Sequence, residues 1–228
     1  MCYSFRTSLT SYILGLSSAI FALCTRQIVL GSLILAYAQM QLSELMIWHG
    51  IDNKDLTWNR RGTTFGKYLL ATHNLAIGLG IILSIIFISK RKLRPVDFIP
   101  AVVGLLFFIG VVVFIYLPKK YPDVTFPRKQ TCDKKCQNPE NRLKWPYPHA
   151  WYLFSYIISV ILMFIWVKPH DSKFILLAFF SLSFIVAVLV YPHTVGSVWC
   201  WSTSFIAPVI VLVNYYFVRK FSDSQILT

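Results

Sequence analysis

Charged residues are scarce in this chain of 228 residues: they make up 14% of the sequence, whereas soluble globular domains carry about a quarter. Acidic residues are the rarest, with 9 Asp and Glu against 22 Lys and Arg, which gives a formal net charge of +13. Hydrophobic residues account for 56% and occur in long runs. This composition excludes a disordered chain and an ordinary soluble domain, and it predicts an integral membrane protein.

The chain also lacks the short motifs that mark common catalytic and binding sites. It has no GxxxxGK[ST], GxGxxG, GxSxG or HExxH motif and no TVGYG-like ion filter. The last apolar segment contains no Lys for a retinal Schiff base. It contains no His either, so the resemblance to ceramidase and progestin-receptor-like membrane hydrolases, which carry an H-x-x-x-H pair there, fails. These absences favour a non-enzymatic role, and neither a cofactor nor a nucleic-acid partner is predicted.

Seven segments are long and apolar enough to cross a bilayer, which takes about 20 residues per helix. They lie at about 7–25, 28–50, 67–89, 96–117, 149–167, 173–192 and 203–218. We therefore predict an all-α fold, a polytopic transmembrane bundle of seven helices that forms one domain over residues 1–228. No small-residue cleavage site precedes a folded domain, so the first segment is predicted to be a mature helix rather than a signal peptide.

One connection is long. Residues 118–147 form a polar, Pro-rich loop with eight Lys or Arg and two Cys. A loop of this size is too small for a separate domain, but it can form a cap held by a disulfide or a metal. The helices are predicted to contact the lipid bilayer. The positive charge of the loop makes it a candidate for a further contact with anionic lipid headgroups.

Two signals disagree about the orientation in the membrane. We call the side of the N-terminus and of the loops at 51–66, 118–148 and 192–202 the N-terminal face. It carries thirteen Lys or Arg against nine on the opposite, C-terminal face, and this bias alone favours a cytoplasmic N-terminal face. Four of the five Cys also lie on the N-terminal face, which is typical of an oxidising compartment. We predict an exoplasmic N-terminus and a cytoplasmic C-terminus.

The cysteines on that face suggest two disulfides. Cys132 and Cys136 are close enough in sequence to close a small ring. The first and last helices of a closed bundle are commonly neighbours, so Cys2 can reach Cys200, and Cys24 is predicted to stay free. The other pairings, a metal-bound set and fully reduced thiols remain alternatives.

Polar residues inside the membrane are the main candidates for a functional site, because each ionisable side chain there is costly. Glu44 is the only acidic residue deep in a segment, and Gln41 and Trp48 share its helical face. His73 and Asn74 lie in the next segment. The estimated depth of Glu44 and of His73 is roughly 10 Å from the same face, which predicts that the two side chains lie within hydrogen-bond or one-water distance of each other and form a charged pair.

Further polar residues gather in the same half of the bundle, including Tyr156, His193 and Ser204. They predict a pocket that opens to the exoplasmic side and binds or transports a small solute, an ion or a lipid headgroup. The alternative interpretation is that these residues only hold helices together. A membrane-embedded metal-dependent hydrolase is a further hypothesis, although no ligand spacing supports a metal site.

Three stretches resemble multipass membrane proteins encoded by mimivirus-like giant DNA viruses. They are MCYSFRTSLTSYILGLSSAIFA, LILAYAQMQLSELMIWHGID and GTTFGKYLLATHNLAIGLGI, all in the first part of the chain. The resemblance implies a viral membrane protein, located in a virion or host membrane, and it transfers no catalytic residue. It adds a structural role in the viral particle as an alternative function, with the basic loop contacting capsid protein or anionic lipid.

Overall fold

A computed structural model describes residues 4–117, 122–127, 143–145, 149–166, 170–190 and 194–225. Over these residues the fold is all-α. The helices are α1 Phe5–Cys24, α2 Ile28–Asp52, α3 Leu56–Ser84, α4 Ile99–Val111, α5 His149–Trp166, α6 His170–Val190 and α7 Val195–Gln225. A π-helical turn, Ile85–Ser89, extends α3, a second one, Val112–Tyr116, extends α4, and a short 3₁₀ helix, Pro95–Phe98, leads into α4.

Five helical stretches within the described residues are long and apolar enough to cross a membrane. They are Phe5–Cys24, Ile28–Asp52, Ala71–Ser89, Pro95–Phe114 and Ser197–Tyr216. The described parts of α5 and α6 contribute shorter apolar segments, Ile157–Trp166 and Phe180–Val190. The fold is thus that of a membrane-embedded helical protein, while the predicted number of seven spans is not confirmed.

Apolar side chains cover the outside of the protein and polar side chains fill much of its inside. Phe87, Phe114 and Leu189 are 63%, 76% and 76% exposed. The buried polar residues include Gln41, Ser43, Glu44, Asn59, Thr63, His73, Asn74, Ser155, Ser159, Ser197, Thr203, Ser204 and Asn214. This distribution suits a lipid environment, because hydrocarbon offers polar groups no hydrogen bonds and drives them toward one another.

Helix α2 occupies the centre of the bundle. It packs against α1, α3 and α7, while α3 also contacts α4 and α5, and α7 also contacts α1 and α6. The first and last described helices are therefore neighbours, as expected. The largest side chains of the interior, such as Tyr37 and Trp199, lie where these helices meet.

Helices α2 and α3 form an antiparallel pair with a defined register. Gly66 of α3 lies against Ser43 of α2, and Gly80 lies against Val29. Residues whose numbers sum to about 109 are therefore level with each other across this pair. His73 is placed by this register at the level of residues 36–37.

Helix α3 begins well before the predicted apolar segment. The carboxylate of Asp55 accepts a hydrogen bond from the backbone N–H of Thr57 (2.8 Å) and caps the helix. This hydrogen bond lowers the pKa of Asp55. The first turns, LTWNRRGTTF, are too polar for a hydropathy criterion to detect, so the helix begins at Leu56, well before the apolar span. The span itself, Ala71–Ser89, lies close to the predicted 67–89.

The described parts of the long loop dock on this polar start of α3. The side-chain amide of Asn59 donates to the carbonyl oxygen of Thr125 and its Oδ1 accepts from the Thr125 backbone N–H, both at 2.8 Å. Pro127 pairs with Leu143 in an isolated antiparallel bridge. The ring of Trp145 packs on Gly66. The loop thus covers part of α3 through hydrogen bonds and burial.

The predicted disulfide between Cys2 and Cys200 is wrong. Cys200 carries a free thiol and is 1% exposed, because α7 already begins at Val195 and places Cys200 inside the helix rather than in a loop at the rim. Cys24 is free, as predicted. Cys2, Cys132 and Cys136 lie outside the described residues, so the second predicted pair stays a prediction.

Candidate functional site

One face of α2 carries four large polar or amphipathic side chains. Tyr37, Gln41, Glu44 and Trp48 follow one another at intervals of four, three and four residues, which places them on one side of a helix. All four are buried, and Gln41 and Glu44 are 0% exposed. Sequence reasoning singled out the last three and missed Tyr37, although the same spacing would have found it.

The two neighbouring polar residues of α3 have different surroundings. The ring of His73 lies over the ring of Tyr37, with centroids 4.3 Å apart. Asn74 faces α5, where its Oδ1 accepts a hydrogen bond from the Ser159 hydroxyl (2.6 Å) and its amide donates to Ser155 Oγ (3.4 Å). Asn74 therefore joins two helices, whereas His73 faces the central helix α2.

Helix α7 closes the site from the other side. The Trp199 ring lies 5.4 Å from that of Tyr37, and its indole N–H donates to Ser183 Oγ (3.2 Å). Cys200, the next residue of α7, carries a thiol that is also buried. The α2 face and α7 therefore enclose one common set of polar groups.

Ser204 of α7 lies where α1, α2 and α7 meet. A Cβ atom placed on Gly15 of α1 would lie 3.2 Å from Ser204 Cβ and 3.1 Å from that of Ala38. Pro208, inside α7, has no N–H to donate to the Ser204 carbonyl. Ser204 thus offers both a hydroxyl and a backbone oxygen in the interior of the bundle.

Several buried polar atoms of this site have no hydrogen-bond partner among the described residues. They are Tyr37 Oη, Trp48 Nε1, both ring nitrogens of His73, and Ser204 Oγ. Leaving one such group unsatisfied costs about 1–3 kcal/mol, so native proteins rarely do it without a water, an ion or a ligand. Four buried side chains on or around the α2 face therefore lack, among the described residues, the hydrogen-bond partner that such groups usually have.

The hydrogen bond predicted as one form of the contact between Glu44 and His73 is not formed. Neither ring nitrogen of His73 has a hydrogen-bond partner within the described part of the chain, and the ring stacks on Tyr37 instead. The depth estimate failed because it started α3 at residue 67. With α3 beginning at Leu56, His73 is level with Tyr37, seven residues or about 10 Å along α2 from Glu44.

Two other predicted site residues lie beyond what the structure describes. Tyr156 belongs to α5, but its side chain is outside the described part, and so is the whole of His193. No three His, Cys, Asp or Glu side chains gather in the described ranges. The hypothesis of a metal-dependent hydrolase therefore has no set of metal ligands there to support it.

The remaining residues are buried on α2 and on two helices that pack against it, and we call this set of residues the polar track. It consists of Tyr37, Gln41, Glu44 and Trp48 of α2, His73 of α3, and Cys200 and Ser204 of α7. Along α2 it extends over eleven residues, or about 16 Å. It therefore follows about half the thickness of a bilayer's hydrocarbon core, which is roughly 30 Å.

Comparison with protein-family models, with curated proteins and with solved structures gives no match for this chain. The resemblance to giant-virus membrane proteins stays a prediction that these comparisons do not test. The candidate function is therefore inferred from the residues of the polar track.

Proposed function

We propose that this integral membrane protein binds a small polar solute or ion in the polar track and passes it part of the way across the membrane. The observation that supports the proposal is the set of unsatisfied buried atoms on Tyr37, Trp48, His73 and Ser204. A track about 16 Å long suits movement along the helix axis better than it suits one fixed binding pocket.

The chemistry of the track favours a proton as the first species to test. Glu44, His73, Tyr37 and Cys200 can each accept and release a proton, and buried Glu and His side chains mark proton pathways in membrane proteins. Gln41 lies one turn from Glu44 on the same face and suits the hydration or orientation of the carboxyl group.

The finer topology is part of the same proposal. In a seven-span bundle, α5 and α6 also cross the membrane and the termini lie on opposite sides. The N-terminus is then exoplasmic, and the predicted disulfide between Cys132 and Cys136 is the remaining support for this orientation. The count of Lys and Arg favours the reverse orientation. Trp48 lies near the end of α2, so the track would then open toward the exoplasmic side.

A structural role in a viral particle is the second candidate. The hydrogen bonds from Asn74 to Ser155 and Ser159 favour it, since they show that some buried polar residues of this bundle serve helix packing. In this case the basic loop would contact capsid protein or anionic lipid, and Glu44 would carry no transport role.

Proton flux into sealed vesicles distinguishes the two candidates. The purified protein is reconstituted with a pH-sensitive dye inside, and a K⁺ gradient with valinomycin drives protons inward. We expect flux above that of protein-free vesicles, and we expect Glu44→Gln to lower it at least about tenfold, because an amide of the same size cannot release a proton.

The matched control is Asp123→Asn. Asp123 is 58% exposed in a surface ion pair with Arg60, so this change removes the same charge outside the bundle and should leave the flux unchanged. A Glu44→Gln variant as active as the wild type would contradict the proposal. So would a proton flux no greater than that of protein-free vesicles.

A further inference from the structure

A second site, separate from the polar track, lies at the opposite end of α3. A cavity of about 330 Å³ opens there between α2, the end of α3, the turn and 3₁₀ helix that lead into α4, and α5. Ile81, Ile165 and Trp166 contribute apolar walls. The polar walls come from Ser84, Ser89, Arg91, Arg94 and Asp97, so that two cations and one carboxylate line the cavity. The cavity thus combines an apolar interior with a polar end that can form hydrogen bonds and carries a net positive charge.

The turn between α3 and α4 is held in place by one carboxylate. Arg91 donates to both oxygens of Asp97, at 2.6 and 2.8 Å, and the backbone N–H of Arg94 donates to Asp97 Oδ2 at 2.7 Å. Asp97 is 3% exposed. The Arg91–Asp97 pair therefore fixes the turn and neutralises one of its positive charges.

The other cationic side chains of this turn are not neutralised by Asp97. The Arg94 guanidinium lies 3.8 Å from Asp97, and its side chain is 68% exposed. Lys90, Arg91, Lys92 and Arg94 are four cations against the single Asp97. The mouth of the cavity is therefore positively charged, with Arg94 as the cation that lines it and is only weakly engaged.

The position of the cavity matches the headgroup level of a bilayer. One candidate span ends at Ser89 and the next begins at Pro95, and α5 ends at Trp166, a residue type enriched at membrane interfaces. Beside the cavity, Phe87 is 63% exposed. A lipid bound here would place its headgroup at the turn and its acyl chains along apolar helix surfaces.

We propose that this cavity binds the phosphate headgroup of an anionic phospholipid. Arg94 supplies the charge that faces the phosphate, and the hydroxyls of Ser84 and Ser89 supply hydrogen-bond donors. Basic pockets between transmembrane helices are suited to anionic headgroups. The site does not depend on the polar track, because it involves none of its residues.

Lipid titration of the delipidated, purified protein tests this assignment. Phosphatidylglycerol and phosphatidylcholine are added separately, and the bound fraction is measured by native mass spectrometry. We expect phosphatidylglycerol to bind at least about fivefold more tightly, and Arg94→Gln to weaken its binding about fivefold. The Arg91–Asp97 pair is untouched, so the thermal unfolding midpoint should remain that of the wild type.

Two further variants make the result decisive. Lys92→Gln removes the same charge from the same turn but not from the cavity wall, and it should weaken binding at most about twofold. Ser84→Leu keeps every charge but fills the cavity, and it should weaken binding as much as Arg94→Gln. Equal losses from Arg94→Gln and Lys92→Gln, or unchanged binding in Ser84→Leu, would overturn the assignment.

Discussion

The Gly104→Ala variant is expected to lose about 3 kcal/mol of unfolding free energy, the upper part of the usual cost of overpacking. A Cβ atom at this position of α4 would lie 2.6 Å from both the Cα and the N atom of Leu75 in α3. Gly78 of α3 meets the backbone of Ala101 in the same way. Because backbone atoms cannot rotate aside, one helix has to move away from the other.

Gly110→Ala is the matched control on the same helical segment. A Cβ atom there would have nothing within 4 Å, and Ala favours helix by up to about 1 kcal/mol over Gly. Thermal unfolding, followed by Trp fluorescence in the same detergent, should show a lower midpoint for Gly104→Ala alone. Equal midpoints for the two variants would contradict the close contact between α3 and α4.

The second large effect is expected at His73. Replacing it with Phe should cost clearly less unfolding free energy than the Asn74→Leu change below, because the ring stacks on Tyr37 and its nitrogens make no hydrogen bond to the described residues. The replacement therefore breaks no hydrogen bond between helices within the described part of the chain. The same change should lower proton flux at least about tenfold, since Phe carries no proton.

Asn74→Leu supplies the contrast at the next residue. Asn74 is hydrogen-bonded to Ser155 and Ser159, so its loss leaves buried hydroxyls unsatisfied and should cost about 1–3 kcal/mol. Flux per folded molecule should stay near that of the wild type. A His73→Phe variant that is destabilised like Asn74→Leu, or that transports normally, would assign His73 to packing.

The membrane-embedded helical fold could be predicted from the sequence, because a long apolar segment in lipid has to satisfy its backbone hydrogen bonds within itself and therefore forms a helix. The bounds of α1, α2 and α4 lie close to the predicted ones for this reason. The starts of α3 and α7 were missed, since their first turns are polar or aromatic and carry no hydropathy signal. Two errors followed directly: the Glu44–His73 contact and the Cys2–Cys200 disulfide.

The site was only partly predictable, because the sequence indicates which polar side chains are buried but not which groups they contact. The cost of a charge in lipid indicated that Glu44 would lie inside the bundle, and it is 0% exposed. Which group faces it depends on helix register, which is set by contacts such as that of Gly66 with Ser43. A single sequence does not reveal these contacts, nor the pairing of Arg91 with Asp97.

Ordered density at His73 tests the central claim most directly. A high-resolution structure in a lipid nanodisc should show a water, an ion or a small solute within hydrogen-bond distance, about 2.7–3.2 Å, of a His73 ring nitrogen and of Tyr37 Oη. These atoms are the unsatisfied ones at the inner end of the polar track. A dry interior, with both side chains hydrogen-bonded only to protein groups, would contradict the account.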